Sequence, residues 1–170
     1  DRSVPPIHFF HFSDHQAQKT TINMNTTQNS ATPCIFDLTG QRIAQTTTLA
    51  LVLETDAIFN RSETGTVTTY LRGVLAQQDT PPAAIGVRFE KFTDGRSYSI
   101  ASRLREIGYQ GELHALGDIN QELIFLLRRV GFTHFHIPNP GTLALAPEIL
   151  EPFNGYYQAG SDGTRAQWQV

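Results

Sequence analysis

Between residues 83 and 138 the chain repeats one unit: a short apolar run, a turn or cap signal, an amphipathic stretch and a closing glycine. Ala84 to Phe89 reads as a strand, bounded by Pro81-Pro82 before it and Asp94-Gly95 after it. The spacing then predicts a helix from about Ser97 to Ile107, with Ile100, Leu104 and Ile107 inward and Arg103, Arg105 and Glu106 outward. Gly108 stands where a left-handed C-terminal cap is wanted. Leu113 to Leu116 forms the next strand. Asp118 and Gln121 have the spacing of a capping box, opening a helix through Ile119, Leu123, Leu127 and Val130 that Arg128, Arg129 and Gly131 close. Phe132 to Ile137 is the last strand, and Pro138 to Gly141 ends it. Strand and helix alternating in this way predict parallel crossovers, which are right-handed in nearly all proteins. The expected fold class is α/β: a mostly parallel sheet with a βαβαβ core over residues 84–137, flanked by helices. A doubly wound or three-layer sheet is preferred to a (β/α)-barrel, because a barrel takes about 250 residues and 170 would supply a fragment only.

Upstream, Ile35 to Leu38, Thr39-Gly40 and Arg42-Ile43 predict an N-terminal antiparallel hairpin. The apolar run Leu49 to Leu53 predicts a strand buried on both faces, and Val67, Leu71, Val74 and Leu75 predict a helix over 65–78. Ile124, Phe125 and Leu126 give the third helix a second apolar face. A further helix over Leu143 to Phe153, or a partner, would have to cover it. Residues 1–33 are expected to be a flexible segment, since from Gln16 to Pro33 only Ile22 and Met24 offer core anchors. A single α/β domain is expected over 34–158 and a polar tail over 159–170.

Several function classes are disfavoured. A net charge of -3 provides no basic field for a phosphate backbone, so nucleic acid is not expected as a partner. No run approaches the roughly 18 apolar residues that span a bilayer. The single Cys34 excludes an internal disulfide and fits a reducing, cytoplasmic setting, where it is expected to serve as a small apolar residue.

Two constellations could carry chemistry. Ligands of open parallel sheets gather at the carboxyl ends of the strands, here the loops Lys91 to Ser97, Gly117-Asp118 and Pro138 to Gly141. Thr93, Asp94, Gly95, Arg96, Ser97, Tyr98 and Asp118 are the ligand-binding candidates, with an anion held by Arg96 and helix-start amides. The competing reading is structural: Asp94-Gly95 as turn, Ser97 as helix cap, Arg96 paired to Asp94. On loop chemistry alone the structural reading weighs more. The second constellation is His114, His134 and His136, two strands' imidazoles on one face, a weaker candidate for zinc or iron because no motif or carboxylate at fixed spacing accompanies them. His8, His11 and His15 are expected to be solvated. No phosphate loop, nucleophile elbow or cofactor fingerprint is present, so no cofactor is assigned.

The runs FTDGRSYS at 92–99, GYQGEL at 108–113 and RRVGF at 128–132 resemble a bacterial family known as domain of unknown function 934, with the likeness running from about Ile35 to Gln158. Its pattern falls on Phe92, Thr93, Asp94, Gly95, Arg96, Tyr98, Ser99, Arg105, Gly111, Glu112, Gly117, Asp118, Arg128 and Gly131. The chain departs from it at Ser97 (typically Gly), Ile100 (Gln), His114 (Arg) and Glu122 (Asp). Arg105 and Glu112 are expected as a surface pair bracing helix against strand. Members are commonly encoded beside sulfite reductase, so the resemblance implies a role in sulfur assimilation. On that basis the expected function is an accessory protein of sulfate or sulfite reduction that binds sulfite reductase, another sulfur-assimilation enzyme or an anionic ligand at the carboxyl edge. The alternative is a small enzyme, an oxidoreductase by the family's usual label, acting on an anionic sulfur metabolite with Arg96 orienting it and Asp94 as acid or base. A homo-oligomer is compatible with either.

Overall fold

The computed structural model describes residues 34–43, 48–60, 66–138, 147–153 and 155–169. The segment expected to be flexible, 1–33, lies outside these, as does the third loop beyond Pro138. Six strands form one sheet: β1 (Cys34–Phe36), β2 (Arg42–Ile43), β3 (Leu51–Glu54), β4 (Ala84–Phe89), β5 (Glu112–Gly117) and β6 (His134–Ile137). Their order across the sheet is β2-β1-β6-β5-β4-β3. β3 to β6 are parallel, and β1 pairs antiparallel with both β2 and β6. The expected α/β class, its βαβαβ core and its N-terminal hairpin are all present. Asp37 makes the hairpin turn, its carboxylate accepting from the Thr39 and Gln41 amides and the Thr39 hydroxyl. Burial would raise the Asp37 pKa, but these hydrogen bonds outweigh it and hold the carboxyl below its usual range.

The helices are α1 (Thr55–Asn60), α2 (Val67–Ala76), α3 (Gly95–Glu106), α4 (Ile124–Arg129) and α5 (Pro147–Leu150). The four parallel strands follow one another in chain order, so right-handed crossovers carry every connecting helix to the same face. One core cluster gathers alternate residues of the strands (Ile85, Val87 and Phe89; Leu113 and Ala115; Phe135 and Ile137) with Ile58, Leu71, Ile100, Leu104, Ile124 and Leu127 from the helices. The order has no reversal and hence no switch-point crevice. The doubly wound expectation is corrected: among the described residues, α1 to α5 all contribute to the cluster on this one face. β3 is corrected too, since it is an edge strand with only Leu53 fully buried.

Helix starts differ from expectation in an informative way. Asp94, not Ser97, caps α3: its side chain accepts from the Arg96 amide at 3.0 Å, and the helix begins two residues earlier than predicted. The expected Asp118–Gln121 capping box is not formed. Asp118 accepts instead from the Phe92 amide at 3.2 Å, and a 3₁₀ turn over Gln121–Leu123 leads into a shorter α4. The C-terminal caps are as predicted, with Gly108 and Gly131 at φ 93 and 101.

The second apolar face of α4 meets α5 and the C-terminal stretch of the chain. Ile149 and Leu150 join the core, Phe153 packs edge-on against Phe125 at 5.8 Å, and Glu151 pairs with Arg128 at 2.8 Å. The stretch expected as a polar tail folds back on α4. Ser161 N–H donates to the Arg129 carbonyl at 2.7 Å, and Ala166 is buried. Among the described residues no helix is long and apolar enough to cross a membrane.

Candidate functional site

At the carboxyl ends of β4 and β5 the chain is drawn tightly together. Gly117 has φ 91, and a Cβ there would lie 2.3 Å from the Phe89 carbonyl oxygen, so only glycine fits. This close approach lets the Asp118 amide donate to the same carbonyl while its carboxylate holds the Phe92 amide, fixing the start of the 91–97 loop. Thr93 is exposed, and Gly95 opens α3 with free space where a side chain would be. Arg96 is clamped. Its Nη2 lies 2.8 Å from both Asp94 and Asp56, its Nε bonds Asp94 again, and the guanidinium rests 5.5 Å from the Phe59 ring centroid. Its hydrogen bonds hold the Asp94 carboxyl below the usual range, and the two carboxylates raise Arg96 in turn.

Ser97 is fully buried. Its hydroxyl meets Thr55 Oγ1 at 2.8 Å, and between them the two hydroxyls satisfy the Arg88 carbonyl. Tyr98 packs edge-on against Phe89 at 5.2 Å, and burial raises its hydroxyl pKa. Beside the loop an open groove of about 800 Å³ is lined by Thr66, Val67, Gly95, Arg96, Ser99 and Arg103. Both of its guanidiniums are paired, Arg103 with Glu106. Two carboxylates around one cation leave this edge with a net negative charge. That disfavours an anion here, while the Arg96 hydrogen bonds that keep Asp94 ionised make it a poor proton donor.

The second constellation does assemble, elsewhere. Cross-strand register sets Gly86, His114 and His134 side by side, and alternation turns these residues, with His136 and Glu112, to the face opposite the helices. The place a Gly86 side chain would take is filled by Leu116 and Leu49, and the His114 ring stacks on His134 with centroids 4.2 Å apart and planes 4° from parallel. His114 is completely buried. Its Nε2 lies 3.1 Å from Glu112 Oε2 and its Nδ1 2.9 Å from His136 Nε2. A carboxylate can only accept, so His114 carries its proton on Nε2, and His136 Nε2–H donates to His114 Nδ1. Burial lowers the pKa of His114, and burial with the two neighbouring imidazoles lowers that of His136 to about 4, so both are neutral at neutral pH. His134 Nδ1 pairs with the Thr133 hydroxyl at 2.8 Å. The loop and histidine sets therefore do not form one site: the first caps the carboxyl ends of the strands, and the second lies toward the amino ends of β5 and β6.

Glu112 is the residue that sequence reasoning missed here, although its position two before His114 carried the signal. Its expected pairing with Arg105 is corrected. Arg105 instead donates to the Gly131 carbonyl through Nε and Nη2, at 3.0 and 2.7 Å, and through Nη1 to those of Tyr109 and Gly111, at 2.8 and 2.9 Å. It ties together the loops at the opposite end of the sheet from the 91–97 loop, where Gly111 leads into Glu112.

A third feature is a surface. Phe153, Tyr157, Trp168 and Leu126 are 56, 83, 69 and 42% exposed. Around them, Phe153 contacts Phe125 and Tyr156, the Trp168 indole N–H donates to the Tyr157 carbonyl, and Arg129 stacks on Tyr156 at 3.8 Å.

A family model described as "Bacterial protein of unknown function (DUF934)" matches residues 72–168. The chain belongs to this family. No curated protein and no solved structure matches it significantly. The DUF934 match begins later than the likeness read from the sequence, at 72 rather than Ile35, and ends at 168 rather than Gln158. It takes in the loop, Glu112 and the three histidines, and the exposed aromatic surface. β1, β2, β3 and α1 lie outside it, Asp56 with them.

Proposed function

We propose that this DUF934 protein is an accessory component of assimilatory sulfite reduction that docks on a partner enzyme of that pathway. The observation that carries the reading is the state of Arg96, already held between Asp94 and Asp56, while Ser97 is buried in a hydroxyl pair. The loop's polar groups are thus spent on the fold. The exposed aromatic cluster around Phe153, Tyr157 and Trp168 is the kind of surface that partners bury, since aromatic side chains and arginine dominate interface energetics. The pathway itself comes from the family resemblance.

A second reading, a small enzyme acting on an anionic sulfur metabolite, keeps one observation in its favour: the hydrogen-bonded series Glu112, His114 and His136. Growth separates the two. In a deletion strain unable to grow on sulfate, Asp94→Ala, Arg96→Ala and His136→Gln chains are expected to restore growth as the wild type does. Loss of growth with folded, expressed His136→Gln or Arg96→Ala would instead support the enzyme reading.

A further inference from the structure

We propose that Glu112, His114 and His134 form a binding site for a divalent first-row transition-metal ion, open to a further ligand. This goes beyond the docking role and does not depend on it. One ligand atom from each residue lies within 4.8 Å of the other two. Glu112 Oε2 and His114 Nε2, 3.1 Å apart, already stand near the separation of two ligands on a tetrahedral ion, about 3.3 Å for bonds of about 2 Å. Adjacent parallel strands fix the spacing, and a tilt of the His134 ring out of its 4° stack on His114 turns both in-plane lone pairs toward one ion.

The surroundings are those of a metal-binding imidazole. A ligating histidine donates its second nitrogen's proton to a fixed acceptor, and His136 Nε2, 2.9 Å from His114 Nδ1, is placed to be that acceptor. Coordination through His114 Nε2 moves the proton to Nδ1, and His136 then carries its own on Nδ1. His134 is oriented by Thr133, whose hydroxyl holds Nδ1 and leaves Nε2 with no partner among the described residues. Two imidazoles and one carboxylate are a borderline donor set that suits Zn²⁺ and Fe²⁺ rather than Mg²⁺ or Ca²⁺. The Glu112 side chain is 45% exposed, so an ion and one further small ligand reach the site from solvent.

The test is titration of the full chain with Zn²⁺ by calorimetry near pH 7.5, paired with Co²⁺ and its visible absorption. His8, His11 and His15 are replaced by alanine throughout, so that N-terminal imidazoles do not report. The expected result is one equivalent bound with micromolar or tighter affinity, and a Co²⁺ band typical of low-coordinate nitrogen and oxygen ligation. Glu112→Gln and His134→Gln, both at partly exposed positions that spare the buried His114, are expected to weaken Zn²⁺ binding by about tenfold or more. They should also alter the Co²⁺ band, while circular dichroism stays unchanged. Absence of one-equivalent binding, or binding and a band unaltered by both substitutions, overturns the proposal.

Discussion

Asp94 performs two structural tasks with one carboxylate, capping α3 through the Arg96 amide and pairing with the Arg96 guanidinium. Asp94→Ala is expected to cost about 1–2 kcal/mol in urea unfolding, with Asp94→Ser recovering most of it through the cap. Arg96→Ala should cost less than Asp94→Ala, because the guanidinium faces solvent and the cap on α3 remains. The Asp94–Arg96 pair was legible in the sequence because the two residues are neighbours. Asp56, which decides that the pair cannot hold an anion, was not, since only the β3 to α1 turn brings it there. Tyr109 gives the clearest pH signature. Its hydroxyl donates to the Pro82 carbonyl, and burial first, with the Glu112 charge, pushes its pKa up to about 12 from an ordinary value of 10. Between those values the unfolded chain releases the proton and the folded chain keeps it, so stability falls as pH rises. The contribution is fully present below pH 10 and lost by about pH 12, on the order of 3 kcal/mol. Urea midpoints measured across this range should lose that component in Tyr109→Phe.

At the scale of elements, the α3 to β5 and α4 to β6 connections are joined through the Arg105 guanidinium. Arg105→Met, which strands three carbonyls, is expected to cost roughly 3 kcal/mol, and Arg105→Lys to recover little because an ammonium lacks the planar fork. Denaturant unfolding of the pair of variants checks this. Gly117→Ala should destabilise by more than about 1 kcal/mol, since both the positive φ and the Phe89 carbonyl oppose a Cβ. Strands and helices of the βαβαβ core were readable because each carries its own punctuation. The false capping box at Asp118 shows the limit: the residue had the right spacing, but the Phe92 amide, distant in sequence, claimed its carboxylate. α1 was missed altogether, as six residues starting at Thr55 show no apolar period.

The whole molecule is a sheet with its described helices on one side. Strand order was the part of the fold least visible in the sequence, because crossovers of similar length serve both sequential and doubly wound sheets. The same holds for the histidine cluster, where alternation gave the shared face but only the register could add Glu112. The longest interior strands, β4 and β5, are expected to show the slowest amide exchange and the edge strands β2 and β3 the fastest. On the proposed docking role, the exposed C-terminal aromatic surface is the face that a partner buries. The most direct test is affinity capture from native extract with full-length tagged protein. The account predicts that an enzyme of sulfite reduction co-purifies with the wild type and with Arg96→Ala, and is lost when Phe153, Tyr157 and Trp168 are all replaced by serine. Failure to recover any such enzyme, or capture that survives the triple substitution and disappears with Arg96→Ala, would contradict it.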